Sequence, residues 1–160
     1  QSIYEWIRAQ EYFYDDLLLM SSTADEKTLF DGLTHPNEAV RYWAGQGIYN
    51  LDKKIKKRTS QRLKQKLNDS IINVSISAAR ALLKHRSSSN KILKILSQGL
   101  EAENEWTRLQ AALVLDDFQD VLRTLEVPAK NQINSDPNKY VVRVLNHGLN
   151  VLNGTMNKVR

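Results

Sequence analysis

Apolar residues recur at steps of three and four along residues 40–51. Val40, Trp43, Ala44, Gly47, Ile48 and Leu51 fall on one face of a helix. Pro36 and Asn37 break the chain just before it. Glu38 puts a negative charge in its first turn, at the positive end of the helix dipole. Two glycines lie inside, Gly45 and Gly47. Each costs about 1 kcal/mol against alanine in a helix, so close approach of a neighbouring helix is the expected compensation. The face then returns. Val40 is followed by Val74, Thr107 and Val141; Ala44 by Ala78, Ala111 and Leu145; Gly47 by Ala81, Val114 and Gly148; Ile48 by Leu82, Leu115 and Leu149; Leu51 by His85, Phe118 and Leu152. A near-constant period of about 34 residues, with one amphipathic helix per unit, predicts an α-solenoid.

A fainter series marks the preceding helix of each unit. Leu33, Leu67 and Leu100 keep the period, and Ile133 keeps it with one extra residue in the loop that follows. Short polar links such as Asn68-Asp69-Ser70 and Ser135-Asp136-Pro137-Asn138 separate these positions from the next helix. Each unit therefore reads as helix, turn, helix. The run Asn37, Val40-Arg41, Ala44, Ile48 resembles the HEAT repeat family. The third unit keeps part of it in Thr107-Arg108, Ala111 and Leu115, whereas Ser75 and Val142 replace the arginine in the second and fourth. The resemblance implies that such an arginine reaches the loop acid of a neighbouring unit. Asp69 and Asp136 are the candidate acids, and two departures in four units argue against a full ladder. The expected architecture is all-α: a right-handed, HEAT-like α-solenoid of three to four helical pairs, over about 24–52, 61–85, 90–118 and 120–153.

Residues 1–23 do not fit the period. They read as two short helices forming an N-terminal helical cap, in which Tyr4, Trp6, Tyr12, Phe13 and Tyr14 make a dense aromatic cluster. This cluster either closes the end of the repeat array, which solenoids require, or docks an upstream domain through Tyr4, Trp6 and Tyr12. A narrower resemblance begins here. Ser2-Ile3-Tyr4-Glu5-Trp6, followed by His35-Pro36-Asn37-Glu38-Ala39-Val40-Arg41-Tyr42-Trp43-Ala44 and Gly47-Ile48, is similar to the C-terminal region of bacterial sulfatases that carry an appended HEAT-type helical domain. It covers roughly the first third of the chain. The resemblance implies a parent hydrolase with a formylglycine made from Cys/Ser-x-Pro-x-Arg, a calcium ion in the catalytic domain, and an exported or periplasmic location. None of the family's catalytic residues maps onto this chain. The nearest match, Ser135-Asp136-Pro137-Asn138-Lys139, ends in lysine and lies in a loop the repeat already explains. The expectation is a non-catalytic fragment or processed chain, since position 1 is Gln, whose partner is an upstream catalytic domain or another protein.

Composition narrows the chemistry. The chain has 160 residues and no cysteine, so disulfides, thiolate metal sites and cysteine nucleophiles are absent. No apolar run approaches the length of a membrane span. The net charge is +5. Residues 53–66 supply more than that, through Lys53, Lys54, Lys56, Lys57, Arg58, Arg62, Lys64 and Lys66, with no acid among them. Such a run is either a solvated helix face or a site for a polyanion, a nucleic acid or a sulfated glycan. Few aromatics interleave with the charges, which counts against base stacking. On the first repeat's second helix, Arg41, Tyr42, Gln46 and Tyr49 lie opposite the small-residue stripe and form a candidate partner surface. His35, His85 and His147 share no metal-ligand spacing, and His85 holds a repeat position given elsewhere to Leu or Phe, which predicts partial burial. The adjacent acids Asp15-Asp16 and Asp116-Asp117 diverge on a helix and are poorly placed to converge on one reacting atom.

Overall fold

A computed structural model describes residues 14–155 of the chain. The regular elements among them are all helices. They fall into two compact units, Gln1–Ser87 and Ser88–Arg160. The first holds α1 (described over 14–22), α2 (Glu26–Gly32), α3 (Glu38–Tyr49), α4 (Lys57–Lys66) and α5 (Ile72–Lys84). The second holds α6 (Asn90–Leu100), α7 (Glu105–Asp117), α8 (Gln119–Thr124), α9 (Glu126–Ser135) and α10 (Lys139–Leu152).

Each unit is built from two helical hairpins. In the first, α2 packs on α3 and α4 on α5, and the long helices α3 and α5 lie against each other. In the second, α6 packs on α7, α9 packs on α10, and α7 lies against α10. The buried faces are those of the periodic positions. Val40, Val74, Thr107 and Val141 are all buried, as are Ala44, Ala78, Ala111 and Leu145, and Ile48, Leu82, Leu115 and Leu149. Leu33, Leu67 and Leu100 are buried on the shorter helices or at their ends. The four-residue steps place one side chain per turn on the same stripe, and burying those stripes against each other holds the hairpins together.

The long helices α3, α7 and α10 start on polar caps. Asn37 Oδ1 accepts from the Ala39 and Val40 amides, and Asn104 Oδ1 accepts from Trp106 and Thr107. Asn138 caps α10 through the Tyr140 amide. Each bond satisfies an amide the helix itself leaves unpaired. Helix α4 is different. It begins at Lys57, ahead of the expected start of the second repeat at residue 61, and its cap residue Lys56 makes no side-chain bond. Its anchor comes from α2: the buried Glu26 accepts from the Lys56 amide (2.8 Å) and from Thr59 Oγ1 (2.6 Å). A carboxylate at the positive end of the helix supports the earlier start. Burial pushes the Glu26 carboxyl up, but the bonds from Thr59 and Lys56 and the nearby lysine charges outweigh it and leave it below its usual value. The helical stretch 119–135 is broken at Leu125 into α8 and α9, with Pro128 in the first turn of α9, where a missing amide proton costs nothing.

Both α3 glycines meet a neighbour. A Cβ at Gly45 would overlap Ser77 Oγ of α5, and one at Gly47 would overlap the Leu29 side chain of α2. Ser77 uses the gap to donate to the Tyr42 carbonyl at 2.8 Å. Trp43 departs from the expected face. It is 42% exposed, and its ring meets Tyr42 edge-on at 5.6 Å. It stands at the margin of the stripe that Val40, Ala44 and Ile48 bury.

Candidate functional site

Arg41, read from sequence as part of a partner surface, turns inward. Its Nε and Nη2 donate to the two oxygens of Asp69, both at 3.0 Å, and Nη1 donates to the carbonyls of His35 (2.9 Å) and Pro36 (2.8 Å). The second unit repeats this arrangement. Arg108 donates through Nε and Nη2 to Asp136 at 2.7 and 3.1 Å, and through Nη1 to the carbonyls of Ala102 (2.9 Å) and Glu103 (2.8 Å). In both units the arginine sits on the second helix of the first hairpin and grips the loop acid of the second hairpin. The acid also caps its own turn, Asp69 accepting from the Ile71 amide and Asp136 from the Asn138 amide. Ser75 replaces the arginine on α5, and its hydroxyl donates to the Lys66 carbonyl instead. Within Ser135-Asp136-Pro137-Asn138-Lys139, the Asp136 carboxylate is committed to Arg108.

Burial acts to raise both acids, but bonds from Arg41 to Asp69 and from Arg108 to Asp136, with the neighbouring donors, hold both carboxyls below their usual value. A carboxyl depressed in the folded state adds stability that is complete above the unfolded value of about 4. The addition shrinks as pH falls below that value and is gone once the folded pKa is passed. Thermal melts from pH 7 to pH 2 are expected to hold level and then fall steeply below about pH 4. A limb of the same steepness in Asp69→Asn/Asp136→Asn would assign acid sensitivity to other groups.

The rest of the expected partner surface is only half open. Gln46 is buried at 9% exposure, Tyr42 and Tyr49 are intermediate, and Arg80 of α5 lies over the Tyr49 ring at 4.2 Å while its Nη1 donates to Gln46 at 3.3 Å. Burial raises the Tyr42 hydroxyl above its usual value, against the Arg80 charge and a hydrogen bond with Gln46 that lower it. The aromatic that faces solvent on α3 is Trp43; Trp106 (59%) and Tyr140 (64%) are exposed at the starts of α7 and α10. The proposed docking residues Tyr4, Trp6 and Tyr12 lie outside the described residues.

The basic stretch divides into three environments. Arg58 and Arg62, one turn apart on α4, hold their guanidinium groups 5.0 and 4.7 Å from the Phe30 ring centre. Lys66 pairs with Asp69 at 3.2 Å, and the Lys56 backbone binds Glu26. Lys53, Lys54 and Lys57 line an open groove of about 810 Å³ together with Lys84, His85 and Arg86 from the end of α5. Leu51 and Ile55, both buried, form its floor, and the cations form its rim. Sequence order hides this grouping, because α5 must return along α3 before Lys84 and Arg86 come to lie beside the loop after α3. Arg86 has a positive φ of 60°, a left-handed turn residue that ends α5 and lines the groove. His85 is half-buried, as its repeat position predicts. Its Nε2 lies 3.1 Å from the Ile48 carbonyl.

Two further histidines pair with acids, His35 with Asp16 (3.1 Å) and His147 with Asp116 (2.7 Å). Among the described residues no three His, Asp or Glu side chains converge in a way that could hold a metal ion, and no helix is long and apolar enough to cross a membrane. Comparison with family models and with curated proteins returns no match to the chain.

Proposed function

We propose that the chain is a non-catalytic HEAT-type α-solenoid module that serves a sulfatase-like hydrolase as its C-terminal accessory domain. The observation that carries the repeat reading is the duplicated arginine clamp. Arg41 with Asp69 and Arg108 with Asp136 repeat the same bonds, to two loop carbonyls and one carboxylate, at the same separation along the chain. A hairpin that pins the loop of the next hairpin is the joint expected of a stacked helical array. The link to a sulfatase rests on the resemblance of residues 2–6 and 35–48. In this reading the formylglycine and the calcium ion belong to a catalytic domain preceding Gln1, and the parent protein is exported. The module packs on that domain or on a protein partner, with Trp43 as the aromatic that α3 offers to it.

The test is to read the coding sequence upstream of Gln1 and assay the full-length product on an aryl sulfate. The expected result is a Cys/Ser-x-Pro-x-Arg motif and calcium-dependent sulfate release. An upstream frame without the motif, or a product carrying it that releases no sulfate, would remove the hydrolase assignment and leave the repeat scaffold standing.

A further inference from the structure

We infer that the groove between the loop after α3, the first turn of α4 and the end of α5 binds a sulfated polysaccharide. Five cations line it, Lys53, Lys54, Lys57, Lys84 and Arg86, against one carboxylate, Asp52. Asp52 is almost fully exposed and approaches Lys84 only to 3.9 Å, so it neutralises little of this charge. Lys53 also feels the charges of Asp25 and Glu26. Lys54, Lys57 and Arg86 have no acidic partner among the described residues. A concave surface carrying one sign of charge raises the local concentration of the opposite ion. Its volume lies within the range of about 300–1,000 Å³ found for ligand pockets, more than a lone inorganic ion needs. The cations come from three separate segments along an open trough, which suits successive sulfates on a chain.

The lining favours a glycan over a nucleic acid. Sequence-tolerant binding of single strands relies on aromatic rings that stack bases. Among the described residues no Phe, Tyr or Trp lines the groove, the His85 ring is held against the Ile48 carbonyl at 3.1 Å, and the ring of Tyr49 nearby is already covered by Arg80 at 4.2 Å and approached by Lys84 at 5.7 Å. A sulfated glycan needs only ammonium and guanidinium donors for its sulfates and a floor such as Leu51 and Ile55 beneath its rings. The inference stands apart from the hydrolase assignment, since it uses only residues of this chain, and either can fail alone.

The experiment measures binding of a heparin-derived hexasaccharide to the whole chain by calorimetry, with amide chemical shifts recorded on the unaltered protein. The expected shifts centre on residues 52–57 and 84–86. Affinity should fall with salt along a log–log slope near −3, the value for about four neutralised charges on a single-stranded polyanion. Lys54→Glu/Lys57→Glu/Arg86→Asn should lose at least about tenfold in affinity at 0.1 M salt, asparagine being chosen because it tolerates the left-handed backbone. A control, Arg58→Glu/Lys64→Glu, reverses two charges on α4 away from the groove and should lose far less, although its net charge changes almost as much. Equal losses in the two variants would reduce the effect to bulk charge and overturn the site. So would shifts centred elsewhere. Tighter binding of single-stranded or duplex DNA than of the hexasaccharide at equal salt would make the groove a nucleic-acid site instead.

Discussion

Asp136→Ala lowers the stability of the folded chain by about 3–5 kcal/mol, the range for breaking one side of a buried ion pair. The carboxylate is fully buried and the Arg108 side chain is 10% exposed. Asp136 accepts two bonds from Arg108, one from Gln132 at 2.7 Å and one from the Asn138 amide at 2.8 Å. Truncation leaves a guanidinium inside the unit that keeps its bonds to the Ala102 and Glu103 carbonyls and the more distant charge of Glu105 but loses its paired carboxylate. Water reaches too little of it to replace the lost charge. At about 2–4 °C per kcal/mol for a chain of this size, Tm should drop by about 6 °C or more in a calorimetric scan. The exposed pair Lys27–Asp31 supplies the contrast, because both side chains are more than half open to solvent. Asp31→Ala should cost no more than about 1 kcal/mol. If the two substitutions cost the same, burial is not what gives the Asp136 clamp its strength.

The second large effect is expected at Gly45. Gly45→Leu should destabilise by about 3 kcal/mol or more, at the upper end of overpacking costs. A Cβ there already overlaps Ser77 Oγ, lies 3.1 Å from its Cβ and touches its backbone carbon at 3.4 Å, so a longer side chain has no free space between the helices. The larger residue must drive α5 off α3 and break the Ser77 bond to the Tyr42 carbonyl. Gly45→Ala is milder, near 1 kcal/mol, because the gain in helix propensity offsets part of the clash. Urea denaturation of the three proteins checks this order. A leucine variant as stable as the parent would mean that the α3–α5 contact yields freely.

The repeating stripes were legible in the sequence because period and residue type coincide at buried positions. Val40, Ala44 and Ile48 are apolar or small, and so are nearly all their counterparts in the later repeats. The interior glycines were legible for the same reason, since a costly residue in a helix signals a close neighbour. The clamp was legible only in part. Two arginines in four repeats looked like erosion of a pattern. The structure shows that they fall at equivalent places, one in each unit, on the second helix of its first hairpin. The HEAT resemblance pointed Arg41 to a loop acid, and Asp69 receives it; its place on a partner surface fails because helical position sets the direction of a side chain and not its reach, and the guanidinium folds back to Asp69. Gln46 lies on the helix face opposite the small-residue stripe, which predicts exposure, yet it is buried and bonded by Arg80. The groove was illegible as a group. Eight charges between residues 53 and 66 form one run in the chain, but winding into α4 sends Arg58 and Arg62 to Phe30 and leaves Lys53, Lys54 and Lys57 to join Lys84 and Arg86 from another helix.

Two equivalent Arg–Asp clamps join the hairpins within the two units. Paired double-mutant cycles test it most directly, one on Arg41 and Asp69, one on Arg108 and Asp136, each read by chemical denaturation. A favourable coupling of about 1.5–3 kcal/mol is expected in both cycles, the upper part of the range for residues in direct contact. Couplings near zero, or a strong coupling in one unit with none in the other, would contradict it.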